Sequence, residues 1–416
     1  AQTIRGDILS ADGEVLATTD IDTDERRYPF DKIFAHAIGY ASNGRMGIEQ
    51  SANMFLVSSN VSLNDKLQND LAGEKHMGNT VITTFDAKLQ KIAYEALGLY
   101  DGAVVITEAG TGKVLAMVSK PDFDPNTIQE IWDDIIEDTT SSVLLNRVTQ
   151  GMYPPGSTFK ILTVLEYIRE NPNSYKEYQF QCTGKFTKGD YTIRCFHNTS
   201  HGTIDLKTAF AKSCNSAFAS IGLEINRKKF EKTLYSLYFN RDLPVDFLTK
   251  SSSISDKITQ NDNMMLQTAI GQGTSQITPL LMAMVTATIA NNGEMMMPYM
   301  IDHIETPDGN VIKQYTPKSL GQQITQQEAA ALQEMMTAVV AEGTGIRLES
   351  QLFGAAGKTG SAEYNKESDS HAWFTGYTYN TEQPLQITVI MEGAGSGGEY
   401  AVPVARRILE QYYKEK

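Results

Sequence analysis

The stretch "FGAAGKTGSAE" (residues 353–363) contains Gly357, Lys358 and Thr359, the three residues that close a nucleotide-binding phosphate loop. Such a loop needs G-x-x-x-x-G-K-[ST], because its backbone amides must curl around the phosphates. Its first glycine would fall at position 352, which is leucine, and Gly354 comes two residues too late. A phosphate loop also opens a helix, whereas the following "SAEYNKESDSHAW" (361–373) is polar and carries no apolar stripe at helical spacing. The nucleotide reading fails. Lys358 then needs another anion, and Lys358-Thr359-Gly360 becomes the frame to follow outward.

The chain around it has 416 residues, more than the ~250–300 at which a single hydrophobic core stops growing, so two domains are expected. Hydrophobic residues at 41% and charged residues at 21% describe an ordinary globular protein. The net charge of −14 argues against a sequence-independent hold on nucleic acid. The best apolar run, "LLMAMVTATIA" (280–290), is far short of the roughly 18–20 residues of a membrane span. The opening "AQTIRGDILSADG" is neither a methionine start nor a signal peptide, so it does not report localisation.

Turn signals and periodicity divide the chain near residue 79. Before it, "IRGDILSADGEVLATT" (4–19) alternates around Asp12-Gly13 as a hairpin, and the rest reads as a small irregular module over 1–78. After it, over 79–416, comes a helix begun near Asp86, then two strands joined by Gly110-Thr111-Gly112. "GMYPPGSTFKILTVLEYIREN" (151–171) holds the clearest helix start, where prolines block helix up to Gly156 and Ser157 can cap. "LKTAFAKSCNSAFASIGLEI" (206–225) and "TPLLMAMVTATIANNG" (278–293) read as two further helices. "HAWFTGYTY" and "LQITVIME" return to strands before a glycine-rich turn and a terminal helix. Strands at both ends of a helical middle predict an α+β domain with one antiparallel sheet.

Three short patterns occur in order: Ser157-Thr158-Phe159-Lys160, Ser213-Cys214-Asn215 and Lys358-Thr359-Gly360. S-x-x-K and K-[ST]-G each occur once, and of the S-x-N triplets only that at Ser213 lies between them. A serine hydroxyl is a poor nucleophile until a neighbouring base takes its proton. At i and i+3 on a helix, Lys160 can stand one turn from Ser157, within hydrogen-bond reach. It can act as base only if burial or a nearby positive charge, such as Lys358, lowers its pKa. Ser213 would relay a proton from Lys160 to the leaving amine, and Asn215 would hold a substrate amide. Lys358 and Thr359 would meet a substrate carboxylate, Gly360 would leave room for substrate backbone, and the Ser157 and Ser361 amides would stabilise an oxyanion. Taken singly, each pattern has a plainer reading: a helix cap with a solvated lysine, a polar kink, an edge strand.

Three cysteines, Cys182, Cys195 and Cys214, are too few for a disulfide scaffold. Cys182 and Cys195 flank "TGKFTKGDYTIR", whose Lys188-Gly189-Asp190 turn sits between strand-like arms. Free thiols, a disulfide, and half of a zinc site completed by His197 or His201 all fit that arrangement, although the spacing matches no standard finger. Cys214 reads as a small apolar packing residue.

The ordered triplets are the signature of penicillin-binding proteins and serine β-lactamases, and the chain resembles the former well beyond them. "RGDILSADGEVLA", "GRMGIEQSANMFL" (44–56), "VITTFDAKLQKIAYEAL", "GAVVITEAGTGKVLAMVSKPDFDPN", "LLNRVTQGMYPPGSTFKI", "GQGTSQITPLLMAM", "IANNGEMMMP" and "AGKTGSAE…HAWFTGY" are similar to successive blocks of that family. No glycosyltransferase block is among them, so the resemblance is to class B, monofunctional members. It implies an α+β transpeptidase domain over 79–416, whose central antiparallel sheet is flanked by helices and an all-helical subdomain. A small β-rich pedestal module, dimerisation-like, would occupy 1–78. It implies a D,D-transpeptidase in which Ser157 attacks the D-alanyl-D-alanine carbonyl of peptidoglycan stem peptides. The acyl group would pass to an amine on a neighbouring strand, and β-lactam antibiotics would acylate the same serine. No cofactor, nucleotide or nucleic acid is implied. A membrane anchor before Ala1, an extracytoplasmic catalytic domain and partners in cell-wall synthesis are. In that compartment a Cys182–Cys195 disulfide can form. A β-lactamase or D,D-carboxypeptidase would share the triplets but pass the acyl group to water, and a β-lactam or peptidoglycan sensor would bind without turnover.

Overall fold

A computed structural model describes residues 3–363 and 369–416. Its largest antiparallel sheet is built from β1 (Gly102–Thr107), β2 (Val114–Lys120), β3 (Gly354–Ala362), β4 (His371–Tyr379) and β5 (Gln386–Met391), in the order β3-β4-β5-β1-β2. The helices that matter for the site are α1 (Ala87–Leu97), α2 (Lys160–Glu170), α3 (Leu206–Ala211), α4 (Asn215–Glu224), α5 (Pro279–Ala290), α6 (Gln326–Glu342) and α7 (Val402–Lys414). Successive side chains on a strand point to opposite faces, and both faces of this sheet are covered. Val104 and Ile106 of β1, with Val389 of β5, pack against Leu89 and Ile92 of α1 and Ile408 and Leu409 of α7. Ala103 and Val105 point the other way, into a larger core shared with α2, α4 and α5. That double cover is why "GAVVIT" is an unbroken apolar run rather than an alternating one. Helix α5 is buried on nearly every side, which explains why it is apolar all round.

The predicted α+β layout is observed, including the hairpin about Asp12-Gly13, where Ile8 faces Ala17 and Gly13 takes φ +88°. Asp86 caps α1 by accepting from the Leu89 amide at 2.9 Å. A second sheet of six strands runs across residue 79: the strand Ile8–Leu9 pairs in parallel with Thr80–Thr83, which in turn pairs with Ile301–Glu305. The "GRMGIEQ" element owes its glutamate to a buried charge cluster. Glu49 has no solvent exposure and accepts from Arg5 Nε at 2.5 Å, Arg26 Nε at 2.7 Å and the Tyr28 hydroxyl at 3.1 Å. It thereby ties the first strands of the chain to the helix that follows Met46.

One predicted helix is not continuous. Residues 206–225 form α3 and α4, broken at Lys212–Cys214, where Ser213 sits at φ +55°. The helical side also carries two short hairpin-like pairs, Lys185–Lys188 with Tyr191–Arg194, and Gln179–Cys182 with Gly202–Asp205. The first has the predicted Lys188-Gly189-Asp190 turn at its tip.

Candidate active site

Three elements far apart in sequence meet at one cleft of about 430 Å³, lined among others by Ser157, Ser213, Asn215, Thr359, Gly360 and Ser361. The first is the turn before α2. Gly156–Phe159 forms a 3-10 turn, so Ser157 does not cap the helix as the sequence predicted; the cap position is Phe159, with no side-chain bond. Gly156 has φ +56°, and a Cβ on it would lie 3.0 Å from the Ser361 carbonyl oxygen. Its amide donates to the Gly271 carbonyl at 3.0 Å, and Gly271 has room for no side chain, since a Cβ there would strike Gly156 O. Glycine at both positions lets the nucleophile's turn lie directly between β3 and the loop at 271. Trp373 Nε1 of β4 donates to the Pro154 carbonyl at 3.1 Å and fixes the turn from below.

Ser157 is half-buried, and among the described residues its hydroxyl has no side-chain partner. The amine one turn on behaves differently from the i, i+3 expectation. Lys160 is fully buried, and its Nζ donates to the Ser213 carbonyl at 2.9 Å and to Asn215 Oδ1 at 2.6 Å. It also lies 3.1 Å from Ser213 Oγ. Burial pulls its pKa down to about 7. A neutral lysine amine has two N–H groups and one lone pair. The carbonyl and the amide oxygen take the two donors, which leaves the lone pair for a hydroxyl.

The second element is the break between α3 and α4. Its positive φ at Ser213 turns the serine hydroxyl toward both lysines, because Lys358 Nζ also donates to Ser213 Oγ, at 3.0 Å. Asn215 opens α4 and anchors itself through Nδ2, which donates to the Arg194 carbonyl at 2.9 Å. The third element is β3. Lys358 is fully buried and its pKa is lowered well below 10.5, first by burial and then by the charge of Lys160. Thr359 shares a 2.5 Å hydrogen bond with Thr344, a partner that no sequence pattern had marked. Gly360 faces Thr158 and Pro155, where a Cβ would come within 3.0 Å of Thr158 Cγ2. Ser361 Oγ accepts from the Gly397 amide at 3.3 Å, and Gly397 itself packs on the Trp373 and Gly360 backbone. Gly271 opens the block "GQGTSQITPLLMAM" and Gly397 lies in the glycine-rich turn before the terminal helix, and neither carries a pattern that marks it as part of the site.

All eight predicted catalytic and substrate-binding positions therefore fall at one place. The cysteines converge beside it. Cys182, Cys195 and His201 come together as the sequence allowed, but His197 is exposed, lies tilted against the Phe196 ring and stands outside the group. Cys214, read as a packing residue, joins them instead.

Residues 102–410 match the family described as the penicillin binding protein transpeptidase domain. This chain belongs to that family. Residues 5–81 match the penicillin binding protein A dimerisation domain. Among relatives, the peptidoglycan D,D-transpeptidase PbpA of Mycolicibacterium smegmatis is 30% identical over 98% of this chain and 89% of its own length. Among solved structures, the D,D-transpeptidase domain of a peptidoglycan glycosyltransferase from Eggerthella lenta superposes with TM-score 0.90 at 27% identity, covering 100% of this chain and 99% of the other. Penicillin-binding protein A from M. tuberculosis, as its penicillin G acyl-enzyme complex, superposes with TM-score 0.89 at 25% identity, covering both chains completely. The class B penicillin-binding proteins thus share the fold of this chain throughout, and no helix of the described residues is long and apolar enough to cross a membrane.

Proposed function

We propose that this penicillin-binding protein is a peptidoglycan D,D-transpeptidase with Ser157 as its nucleophile. The observation that carries the reading is the shared hydroxyl of Ser213, which both buried lysines approach, Lys160 at 3.1 Å and Lys358 at 3.0 Å, in the cleft that Ser157 also lines. Ser157 Oγ attacks the carbonyl of the penultimate D-alanine and gives its proton to neutral Lys160. The amides of Ser157 and Ser361 hold the oxyanion. On collapse, the proton passes from Lys160 through Ser213 to the departing D-alanine nitrogen. Lys358, Thr359 and the room over Gly360 receive the substrate's terminal carboxylate and backbone. An amine from a second stem peptide then takes the acyl group and frees Ser157. A β-lactam enters by the same route and leaves its opened ring on the serine.

Residues 1–78 serve in this reading as a pedestal that sets the catalytic domain, residues 79–416, at its distance from the membrane. The domain works on the extracytoplasmic face, held by an N-terminal anchor and in company with other cell-wall proteins. Intact-mass measurement after incubation with penicillin G tests the assignment. The protein should gain one ligand mass that persists for many minutes, and Ser157→Ala should gain none. An adduct on Ser157→Ala would remove Ser157 as nucleophile, and an adduct lost within seconds would point to hydrolysis, as in a β-lactamase.

A further inference from the structure

We propose, resting on the transpeptidase reading, that Lys212, Arg347 and Arg407 bind carboxylates of the acceptor stem peptide, whose amine enters along a basic path from α7 toward Ser157. Lys212 and Arg347 line the catalytic cleft, and the one carboxylate in that lining is Glu399. Arg347 makes no ion pair with it; its Nη1 donates to the Glu399 carbonyl at 3.5 Å instead. Lys212, Arg347 and Arg407 are all exposed, and among the described residues none of them pairs with a carboxylate. A chain of net charge −14 has carboxylates in excess. Three free cations along one path therefore suit an anionic ligand better than an internal partner.

The backbone puts these cations on the side of the leaving group. The turn after α6 is seated on the end of α3: the Thr344 amide donates to the Ala211 carbonyl at 3.1 Å, and a Cβ on Gly343 would lie 2.2 Å from that oxygen. Lys212 follows Ala211 directly, and Arg347 lies in the 3-10 turn Ile346–Leu348 just after Thr344. The Thr344 hydroxyl in turn meets Thr359, which receives the donor's terminal carboxylate. The donor peptide ends at that carboxylate, so cations beyond Thr359 have no donor residue to meet. What arrives there once D-alanine has left is the strand that brings the new amine.

Arg347 also lines a second groove, of about 580 Å³, which runs along α7 and holds Arg406, Arg407 and Lys414 with Glu410 and Glu415. Its carboxylates are already engaged: Glu410 meets Arg406 at 3.2 Å and Lys414 at 3.9 Å, and Glu415 meets Lys88 at 2.7 Å. Arg406 Nη1 also donates to the Arg347 carbonyl at 3.2 Å and so holds the turn in place. Arg347 and Arg407 are left to face the groove, and a guanidinium takes a carboxylate through two parallel N–H···O bonds. An anionic strand held there gains local concentration over water at the acyl-enzyme. Its nitrogen attacks the acyl carbon, the C–N bond forms as the C–Oγ bond breaks, and one amine proton passes by way of Lys160 to Ser157 Oγ.

The test uses a thioester donor that acylates Ser157 and two peptide acceptors with the same side-chain amine. One acceptor has a C-terminal carboxylate and a glutamate; the other has a C-terminal amide and a glutamine. Mass spectrometry of the joined product gives an initial rate for each, and their ratio is internal to each sample, so a change in folded fraction cancels. The wild-type protein should use the anionic acceptor about tenfold faster, and high salt should shrink that ratio. Arg347→Gln and Lys212→Gln should each lower the ratio several-fold, Arg407→Gln less, and Arg347→Lys should keep more of it than Arg347→Gln. A wild-type ratio near one, or a ratio that survives all three glutamine substitutions together, would overturn the subsite while joined product still forms. Hydrolysis of the donor with no joined product from either acceptor would overturn the transpeptidase reading, and the subsite with it.

Discussion

The pH dependence of acylation should report the two buried amines. Burial pulls the Lys160 ammonium to about 7, and a general base must be neutral when Ser157 gives up its proton. The sign follows: the rate rises with pH through about 7 and falls on the acid side. The neutral fraction is roughly one-eleventh at about pH 6 and ten-elevenths at about pH 8, a change of about tenfold with a plateau above. A lysine at its ordinary value near 10.4 would instead give about a hundredfold rise over the same interval and no plateau below about pH 10.

Replacing Lys358 by Met tests how far the neighbouring charge contributes. Both nitrogens lie about 3 Å from Ser213 Oγ, so they are at most about 6 Å apart. At that distance and an effective dielectric of ~20, two unit charges repel by about 3 kcal/mol, equivalent to about two pH units. That repulsion lowers Lys358, whereas burial sets the Lys160 value, so Lys358 has given up its proton before Lys160 titrates, and without Lys358 the acid limb should stay near 7. The assay is the second-order rate of acylation by a fluorescent penicillin, followed from about pH 5.5 to about pH 9.5. Lys358→Met also lowers the amplitude, because it loses the contact to the ligand carboxylate, so only the position of the limb is compared. A wild-type rate that climbs tenfold per unit without levelling, or a variant limb displaced by a unit or more, would refute the reasoning.

Three substitutions probe the frame around the site. Gly156→Ala forces a side chain at φ +56° and within 3.1 Å of Ala362 Cβ. It should cost about 1–2 kcal/mol in denaturant melts and slow acylation more than its stability loss predicts, since it pushes the nucleophile's turn off β3. Glu49→Ala strands the guanidiniums of Arg5 and Arg26 beside an empty pocket. A loss of about 3–5 kcal/mol is expected, with amide exchange rising in residues 3–83 before it rises in β1 and β2. Arg147 is buried and meets Glu392 at 2.5 Å, and the same carboxylate oxygen accepts from the Tyr153 hydroxyl at 2.6 Å. Arg147→Met should cost about 2–4 kcal/mol by thermal or urea unfolding and reduce acylation through Tyr153 and the prolines next to it; unchanged unfolding would show that the pair contributes nothing.

Much of this arrangement could be read from the chain because local rules and the global fold agree there. The run "GAVVIT" announces a strand covered on both faces, and Asp86 announces the start of α1. The three short motifs announce the site because their residue types have a chemistry in common. What escaped reading depends on tertiary placement. An S-x-x-K spacing places serine and lysine on one face of an ideal helix, yet the first turn is 3-10 and the bonds of the Lys160 amine go to Ser213 and Asn215. Thr344 touches Thr359 across the cleft from 15 residues away, without any pattern to flag it. Cys214 is a packing residue by composition and a cluster member only because the chain reverses at Ser213.

That reversal also explains how one site satisfies opposite demands. A nucleophile must meet its substrate, so Ser157 and Asn215 are left half-buried at the cleft. A lysine base must be kept from water, so Lys160 and Lys358 have no exposure at all. A continuous helix from α3 into α4 would place Ser213 and Asn215 on different faces, since residues two apart do not align. With the break at φ +55°, Ser213 offers both its carbonyl and its hydroxyl to Lys160 while Asn215 offers its amide oxygen to the same nitrogen. Backbone strain of about 1–3 kcal/mol at Ser213 is thus the condition under which three oxygens can surround one amine without admitting water. Restoring helix at this point should therefore abolish acylation even where it stabilises the chain.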